Sequence, residues 1–358
     1  MKISEIDSNL KVATGIKEES AVFKSCFDAP FEIRGLANPK ESGKLYRVAQ
    51  SVFPMMSDSL SYLSKCTAGG RVRFRTDSPY IIVKVELAEG DKIMPHMPIT
   101  GISGVDLYTG SGVNCKYKKT IIPPSHYVKE YDGVYYSETD ASNPEDITLN
   151  LPLYNGVDNI YIGLKDGSAA EAPTPYFIDK PVVYYGSSIT QGGCASRPGN
   201  SFDAIISRWL DCDHINLGFS GNGFGELFMA EYIAGLDMSA CVIDCFNIKD
   251  KAHIQAAHEP FFKTIRAARP DLPVVIISVP AFIPDTEAHK EYRAIVKQTY
   301  DNAVNAGDRS VYYINGESIY GEKDTDACTV DCVHPNDFGF MRMAETIYPV
   351  VKQALSLK

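Results

Sequence analysis

The sequence lacks any apolar run long enough to cross a bilayer. Its most apolar stretch, residues 273–284, is interrupted by Pro280 and is much shorter than the roughly 20 residues that a membrane-spanning helix needs. The first residues, MKISEID, contain no apolar core of a signal peptide. We therefore expect a cytoplasmic protein without a membrane partner.

Positive charge is also scarce. The 358 residues include 35 Lys and Arg against 45 Asp and Glu, which gives a net charge of -10 at pH 7. Binding to nucleic acid requires a basic surface, so we expect no nucleic-acid partner. A neutral or weakly polar small molecule is the more natural substrate.

No Cys-x-x-Cys pair occurs, and the number of cysteines, nine, is odd. Both facts argue against a disulfide framework or a zinc knuckle. Two pairs have a four-residue offset, Cys241 with Cys245 and Cys328 with Cys332, and His334 follows the second pair. Catalytic zinc sites usually draw on histidine and carboxylate ligands too, so we expect reduced thiols, no metal site and no cofactor.

The length suits two domains, and the character of the sequence changes near residue 180. Before it, short runs rich in β-branched and aromatic residues alternate with turn residues, as in a β-sandwich or jelly roll. Strict alternation in RVRFRT predicts a half-solvated antiparallel strand. The predicted strands are 71–76, 80–87, 104–108, 115–122, 133–136, 146–151 and 158–164, with one helix at 57–65.

In the second half, apolar runs alternate with amphipathic segments, which predicts a parallel sheet covered by helices on both faces. We predict strands at 182–185, 215–217, 241–245, 274–279 and 311–314, and helices at 201–210, 226–234, 253–268, 287–306 and 336–355. A stretch without periodicity separates the halves. The predicted domains are residues 1–165 and 181–358, joined by a linker at 166–180.

The segment YYGSSITQGG, residues 184–193, follows the first strand of this second half. Gly-Ser-Ser opening into Gly-Gly predicts a sharp turn and a helix start. The turn exposes a serine at the carboxyl end of the strand, where α/β enzymes place nucleophiles and bind anions. The alternative is an ordinary loop in which the serine only caps the helix.

Two further polar stretches follow later strands. In NLGFSGNG, residues 216–223, glycines let backbone N–H groups approach a ligand, although a flexible turn is the alternative. In IDCFN, residues 243–247, the amide of Asn247 could donate to a developing oxyanion. The alternative for Asn247 is an Asx turn or a helix cap.

A fourth stretch, VDCVHPND at residues 330–337, precedes the last predicted helix. Asp331 and His334 are three residues apart, so the carboxylate can hold one imidazole nitrogen and set the tautomer while the other nitrogen faces a nucleophile. The alternative is a solvated loop.

In order and spacing, Gly-x-Ser, Asn-x-Gly-x-Ser-Gly, a strand-end Asn and Asp-x-x-His-Pro resemble the SGNH (GDSL-type) hydrolases over about residues 180–358. GVDLY at 104–108 is similar to the GxDLY signature of a β domain that precedes one SGNH esterase branch. The resemblance implies a flavodoxin-like three-layer α/β domain with a parallel sheet, preceded by an all-β, jelly-roll-like sandwich.

The same resemblance implies roles for individual residues. Ser188 would be the nucleophile, His334 the general base and Asp331 the carboxylate that orients it. The oxyanion hole would consist of the Ser188 and Gly221 backbone N–H groups and the Asn247 side chain. The sequence departs from the family at Ser187, where Asp is frequent, and in the third stretch, which is one residue short and lacks a proline.

Four residues close to these stretches could line a substrate pocket: Gln191, Cys194, Arg197 and Asn222. Arg197 could hold a carboxylate or a sugar hydroxyl, or could only pack at the rim. The segment MPHMP at 94–98 and the loop at 106–108 could reach the catalytic face, or Asp106 and Tyr108 could only pack between the domains. We treat the remaining histidines as structural or surface residues: His96, His126, His214, His253, His258 and His289.

The implied activity is that of a metal-independent serine esterase. It would remove short acyl groups, with acetyl favoured, from a carbohydrate or another small alcohol through an acyl-enzyme intermediate. The alternatives are a thioesterase or lysophospholipase with the same site, and an inactive carbohydrate-binding protein. Assembly into a homo-oligomer is left open.

Overall fold

The computed structural model describes residues 6, 18, 20–137, 143–244 and 246–356. Cys245, which belongs to one of the cysteine pairs and to the predicted strand 241–245, lies outside the described residues.

The described residues form fifteen strands, which in chain order are β1 (Ala21–Ser25), β2 (Glu32–Arg34), β3 (Arg71–Thr76), β4 (Tyr80–Leu87), β5 (Val105–Thr109), β6 (Lys116–Ile121), β7 (Glu130–Tyr136), β8 (Glu145–Asn150), β9 (Val157–Lys165), β10 (Ala170–Glu171), β11 (Ile178–Gly186), β12 (Cys212–Gly218), β13 (Ala240–Ile243), β14 (Val274–Ile277) and β15 (Val311–Ile314). The strands predicted for both halves are thus confirmed, with ends that differ by a few residues.

The α-helices in the same residues are α1 (Pro39–Ser42), α2 (Asp58–Ser64), α3 (Ile99–Ile102), α4 (Ser188–Gln191), α5 (Phe202–Leu210), α6 (Leu227–Ala234), α7 (Lys251–Ala268), α8 (Glu287–Asn305) and α9 (Asp337–Ala354). Short 3-10 helices cover Gln50–Met55, Gly112–Asn114, Pro198–Asn200, Gly316–Ser318 and Thr325–Cys328. The five long helices predicted after residue 181 are all present. In the first half, α1, α3 and two of the 3-10 helices were not predicted.

Two antiparallel sheets form the N-terminal part. One has the order β1-β9-β4-β7, and the other has the order β10-β3-β8-β5-β6 with β2 beside β3. Apolar side chains of both sheets, such as Ile81 and Ile162 from the first and Phe74 and Leu149 from the second, share one core. The predicted β-sandwich is therefore confirmed, while the jelly-roll-like connectivity stays a prediction.

The polar face of β3 is buried, contrary to the prediction of a half-solvated strand. Arg71 and Arg73 are only 2% and 3% exposed. Arg71 pairs with Asp213 and donates to the His214 carbonyl at 3.0 Å, both in β12. The alternation of the strand was predicted correctly, but a second sheet, rather than water, covers its charged side.

The C-terminal part has one parallel sheet in the order β12-β11-β13-β14-β15. Numbered from β11, this order is 2-1-3-4-5, which is flavodoxin-like and matches the implied fold. In such sheets the winding reverses between the first and third strands, and ligands bind beyond the carboxyl ends of the strands at that point. Ser188 lies there, two residues after the end of β11.

The parallel sheet is covered on both faces. Along β11, Tyr184 belongs to a core with helices α5 and α9, whereas Tyr185 belongs to a core with α6, α7 and α8. This follows from the two-residue period of a strand. The N-terminal part, called the sandwich part below, contributes side chains to both cores of the C-terminal, or α/β, part. Tyr154 packs in the first core and Leu63 in the second.

The segment predicted as a linker at 166–180 is partly regular. β10 pairs with β3, and β11 already begins at Ile178, whose N–H donates to the Asp211 carbonyl at 3.0 Å. The sequence did not predict these two strand ends, because the glycine and prolines of the stretch interrupt the alternation by which a strand is recognised. Within the described part of the chain, no helix is both long and apolar enough to cross a membrane.

Candidate active site

Ser188, His334 and Asp331 form a continuous chain of hydrogen bonds. The Ser188 Oγ lies 2.9 Å from the His334 Nε2, and the His334 Nδ1 lies 2.7 Å from the Asp331 Oδ2. An ionised carboxylate at Nδ1 holds the proton on that nitrogen, so Nε2 is free to accept the serine proton. The structure thus brings together three side chains from two distant segments.

The turn after β11 presents Ser188 at the start of α4. The side chain of Ser187 caps this helix by accepting from the Ile189 N–H at 3.3 Å, so the capping role considered for a serine falls to Ser187. As the first helical residue, Ser188 has an N–H without an acceptor inside the helix. Its hydroxyl and its backbone N–H are therefore both available for chemistry.

The loop before α9 folds so that Asp331 contacts both the backbone and the ring of His334. The Asp331 Oδ1 accepts from the backbone N–H groups of Val333 at 3.1 Å and His334 at 2.7 Å. Burial alone would raise the pKa of Asp331, but the hydrogen bonds from the His334 backbone and ring and from Val333 outweigh it and lower that pKa. The carboxylate is therefore ionised at neutral pH.

The carboxyl end of β12 packs against α4. A Cβ added to Gly218 would overlap the backbone nitrogen of Gln191, so this close approach requires glycine. Three residues further, Gly221 has a φ of +62° and is exposed, with nothing within 4 Å of where a Cβ would stand. The loop therefore reaches open space beside the turn that carries Ser188, and its backbone is uncovered at Gly221.

Asn247 lies against this same loop. Its amide nitrogen donates to the Phe219 carbonyl at 3.0 Å and to the Asn222 carbonyl, and its backbone N–H donates to the Gly223 carbonyl at 3.2 Å. Both amide hydrogens are thus directed at main-chain oxygens. In this arrangement Asn247 holds the loop in place, and a direct contact with an oxyanion stays a prediction.

The side-chain amide of Gln191 is engaged in hydrogen bonds through both its oxygen and its nitrogen. Its side chain is fully buried and bridges the two parts of the chain, donating to the Leu153 carbonyl at 3.1 Å and accepting from the Ser220 N–H at 2.9 Å. Arg197 is also engaged, by Asp106 at 2.9 Å and by the Tyr108 hydroxyl. Asn222, also predicted to line the pocket, lies half-buried on the loop beside Gly221, where its amide donates to the Ser220 carbonyl at 3.2 Å.

The sandwich part contributes two residues to the site that were not predicted. The ring of the exposed His96, expected to be a structural or surface residue, lies 5.4 Å from the ring of His334, and the Tyr154 hydroxyl donates to the Ser188 carbonyl at 3.2 Å. The segment MPHMP had been singled out as one that could reach this face, and it does. The sequence therefore indicated the segment but not the individual residue, because a single histidine has no partner pattern in the sequence.

Cys194 lies close to His334, with its sulfur within 4.8 Å of a ring nitrogen of that histidine. It is 4% exposed, and its N–H donates to the Pro335 carbonyl at 3.1 Å. Burial, assisted by the charge of Asp331, raises the pKa of its thiol to about 12, so the thiol is neutral at physiological pH. The eight described cysteines are all free.

Arg47 stabilises the end of β12, directly before the 219–223 loop. It is 1% exposed, and its guanidinium donates to the carbonyls of Cys66 at 3.0 Å, Leu63 at 2.6 Å and Gly218. Burial lowers its pKa to about 10, which still leaves it charged at neutral pH. This arginine ties the segment around α2 to the end of β12.

Comparison with known families divides the chain in the same way as the fold. The model of the GDSL-like Lipase/Acylhydrolase family matches residues 179–352, and the model of the N-terminus of SGNH-hydrolase-type esterases, named GxDLY, matches residues 22–170. No curated protein matches the sequence.

Several solved structures share the fold of the whole chain. A protein from Bacteroides ovatus ATCC 8483, described as a GDSL-like lipase, has a TM-score of 0.84 and 26% identity over 94% of this chain and 99% of that chain. The salicylyl-acyltransferase from a tetracycline biosynthetic pathway has a TM-score of 0.76 and 19% identity over 95% and 99%. A family two carbohydrate esterase from Clostridium thermocellum, in complex with cellohexaose, has a TM-score of 0.59 and 15% identity over 81% and 93%. The last two show a likeness of fold alone.

Proposed function

From the chain's membership of the GDSL-like lipase and acylhydrolase family, which makes it a hydrolase of ester bonds, we propose that it is a serine esterase acting on short acyl groups, acetyl above all. The alcohol would be a carbohydrate or another small alcohol. The observation that carries the proposal is the Ser188–His334–Asp331 chain, with its contacts of 2.9 Å and 2.7 Å.

In the first half-reaction, the Ser188 Oγ attacks the ester carbonyl carbon while its proton passes to the His334 Nε2. The Asp331 carboxylate stabilises the imidazolium that forms. The tetrahedral oxyanion accepts hydrogen bonds from the backbone N–H groups of Ser188 and Gly221, each such donor contributing about 3 kcal/mol. As the intermediate collapses, the Nε2 proton goes to the leaving alcohol and an acyl-serine remains.

In the second half-reaction, a water molecule gives its proton to Nε2 and attacks the acyl-serine carbonyl. The second tetrahedral intermediate collapses when the Ser188 oxygen takes the proton back, which releases the acid and restores the enzyme. For Asn247 we propose that it fixes the 219–223 loop and, through it, the Gly221 N–H.

The choice of substrate rests on three features. The net charge of -10 favours a neutral alcohol over an anionic one. The fold is shared with carbohydrate esterases, one of which was solved with cellohexaose. His96 and Tyr154 bring the sandwich part against the catalytic residues, so we propose that the sandwich forms one wall of the substrate site.

The test combines labelling with an acyl panel. A fluorophosphonate should label the enzyme stoichiometrically at Ser188, and Ser188→Ala should abolish both the labelling and the hydrolysis of p-nitrophenyl acetate while the melting temperature stays close to that of the wild type. Rates that fall steeply from acetyl to longer acyl chains would support a deacetylase, whereas a maximum at long chains or with thioesters would favour the alternatives. No labelling, together with tight glycan binding, would reject the esterase in favour of a binding protein.

A further inference from the structure

Three side chains that can ligate a metal meet at the catalytic histidine: His96, Cys194 and His334. One ligand atom from each, a ring nitrogen or the thiol sulfur, lies within 4.8 Å of the other two. The residues come from the loop before α3, the segment after α4 and the loop before α9. The reaction proposed above uses only His334, which leaves the convergence of His96 and Cys194 unexplained by catalysis.

We propose that this cluster is an inhibitory binding site for a thiophilic divalent cation such as Zn²⁺. Zinc prefers thiolate and imidazole ligands, at about 2.3 Å and 2.0–2.1 Å. In a tetrahedral site one sulfur and two nitrogens at these distances are about 3.3–3.6 Å apart, so closure from separations of 4.8 Å or less requires shifts of about 1 Å at most. Cys194 is buried and held by its N–H bond to Pro335, whereas His96 is exposed on its loop and can move toward the other two.

The existing hydrogen bonds determine which nitrogen of His334 is available. Its Nδ1 already contacts the Asp331 carboxylate at 2.7 Å, so a cation would bind Nε2. A carboxylate on the far nitrogen of a ligating histidine is the usual second-sphere support of a zinc site. The cluster combines one residue from the sandwich part, His96, with two from the α/β part, Cys194 and His334.

Binding would block the reaction at the general base. The Cys194 thiol loses its proton to solvent as the sulfur–zinc bond forms, and the Nε2 lone pair is donated to the cation. Nε2 can then no longer accept the Ser188 proton. The inhibitory consequence rests on the proposed function, but the binding itself does not, so the two are tested separately.

Binding is tested with Co²⁺ in place of Zn²⁺, because cobalt in a thiolate site gives a charge-transfer band and tetrahedral d–d bands. The wild type should show both at one equivalent. The charge-transfer band should disappear in Cys194→Ala, and the affinity should fall at least about tenfold in His96→Ala. Cys332→Ser, which removes an exposed thiol two residues before His334, is the matched control and should keep the spectrum.

A wild-type protein without the band, or a band that persists in Cys194→Ala or disappears in Cys332→Ser, would overturn the proposal. Thermal melting of each variant checks its fold, and Cys194→Ser, which is closer in size to the native residue, replaces Cys194→Ala if the latter melts early.

Inhibition is tested by titrating p-nitrophenyl acetate hydrolysis with Zn²⁺ and reversing it with EDTA. The inhibition constant, taken relative to each variant's own uninhibited rate, should rise at least about tenfold in His96→Ala. Active enzyme whose inhibition is unchanged by His96→Ala would refute the metal site and leave the esterase intact. Inactive protein with an intact cobalt spectrum would refute the proposed function and leave the metal site.

Discussion

The Arg197 guanidinium donates to the Asp106 Oδ2 at 2.9 Å and so connects the segment after the Ser188 turn to the sandwich part. Asp106 is fully buried in β5, and it also accepts from the Gly199 N–H at 2.8 Å and the Asn150 amide at 2.7 Å. Arg197 lies over the ring of Tyr117 at 3.9 Å. The aspartate of the GVDLY segment thus joins the two parts of the chain, which is the interdomain packing considered as an alternative for Asp106.

We expect Asp106→Asn to lower the free energy of unfolding by about 3 kcal/mol, because it leaves a partly buried guanidinium without a counter-charge. Urea denaturation measures the change. The matched control is Asp237→Asn, which removes the exposed ion pair with Lys180 and should cost less than about 0.5 kcal/mol. Similar losses in both variants would show that the Asp106 contact contributes no more than a surface pair.

Asp331→Asn should lower kcat by about 10²-fold or more. The asparagine oxygen would be held by the backbone N–H groups of Val333 and His334, as the Oδ1 is now, so the NH₂ group would face the ring. The ring would then be protonated on Nε2 and unable to accept the serine proton. Steady-state kinetics measure the effect, with Asp326→Asn, an exposed position on the preceding 3-10 helix, as the control for lost negative charge.

Gly218→Ala should destabilise the protein by about 3 kcal/mol and reduce activity, because the new methyl group overlaps the α4 backbone that carries Ser188. Gly43→Ala is the control, since Gly43 also borders a helix but has a φ of +64° and open space around it. Gly43→Ala should lower the free energy of unfolding by only about 1 kcal/mol, the cost of a left-handed backbone at alanine. Its activity should be unchanged. Equal melting temperatures for the two variants would contradict the close approach of β12 to α4.

Because His258 is buried, we expect the free energy of unfolding to depend on pH. Burial lowers its pKa from 6.5 to about 4, and its Nδ1 contacts the Thr299 hydroxyl at 2.9 Å. Between these values the unfolded state binds a proton that the folded state does not, so the free energy of unfolding falls as the pH falls. The contribution of His258 to the free energy of unfolding is fully present above pH 6.5, and it decreases by about 3 kcal/mol between pH 6.5 and pH 4.

His258→Gln should remove this contribution and flatten the profile over that window. Urea denaturation at several pH values measures both proteins, and the difference between them cancels the contribution of other groups, including the buried His214. Parallel profiles for wild type and variant would show that His258 titrates alike in the folded and unfolded states.

Much of the fold was predictable because it depends on local patterns. Periodicity located β3, β4 and the five strands and helices of the α/β part, and the glycine-rich and serine-rich turns marked where the polar stretches meet. The burial of Arg71 and Arg73 was not predictable, because an alternating strand has the same sequence whether water or a second sheet covers its polar side. The pairing of Arg197 with Asp106 was not predictable either, since the partner of a side chain lies elsewhere in the chain.

By itself, the sequence determined the order of the elements and the spacing of Ser188, Asp331 and His334, since hydrophobic period and turn residues act over a few positions. Only the tertiary structure decided that His96 lies beside His334, that Tyr154 contacts Ser188, that Gln191 and Arg197 bridge the two parts, and that the Asn247 amide holds a loop. Most of these contacts arise where the sandwich part and the α/β part pack together, and the Asn247 contact joins residues that follow two strands of one sheet. The complementarity of such surfaces is distributed over distant segments and leaves no periodic signal in any one of them.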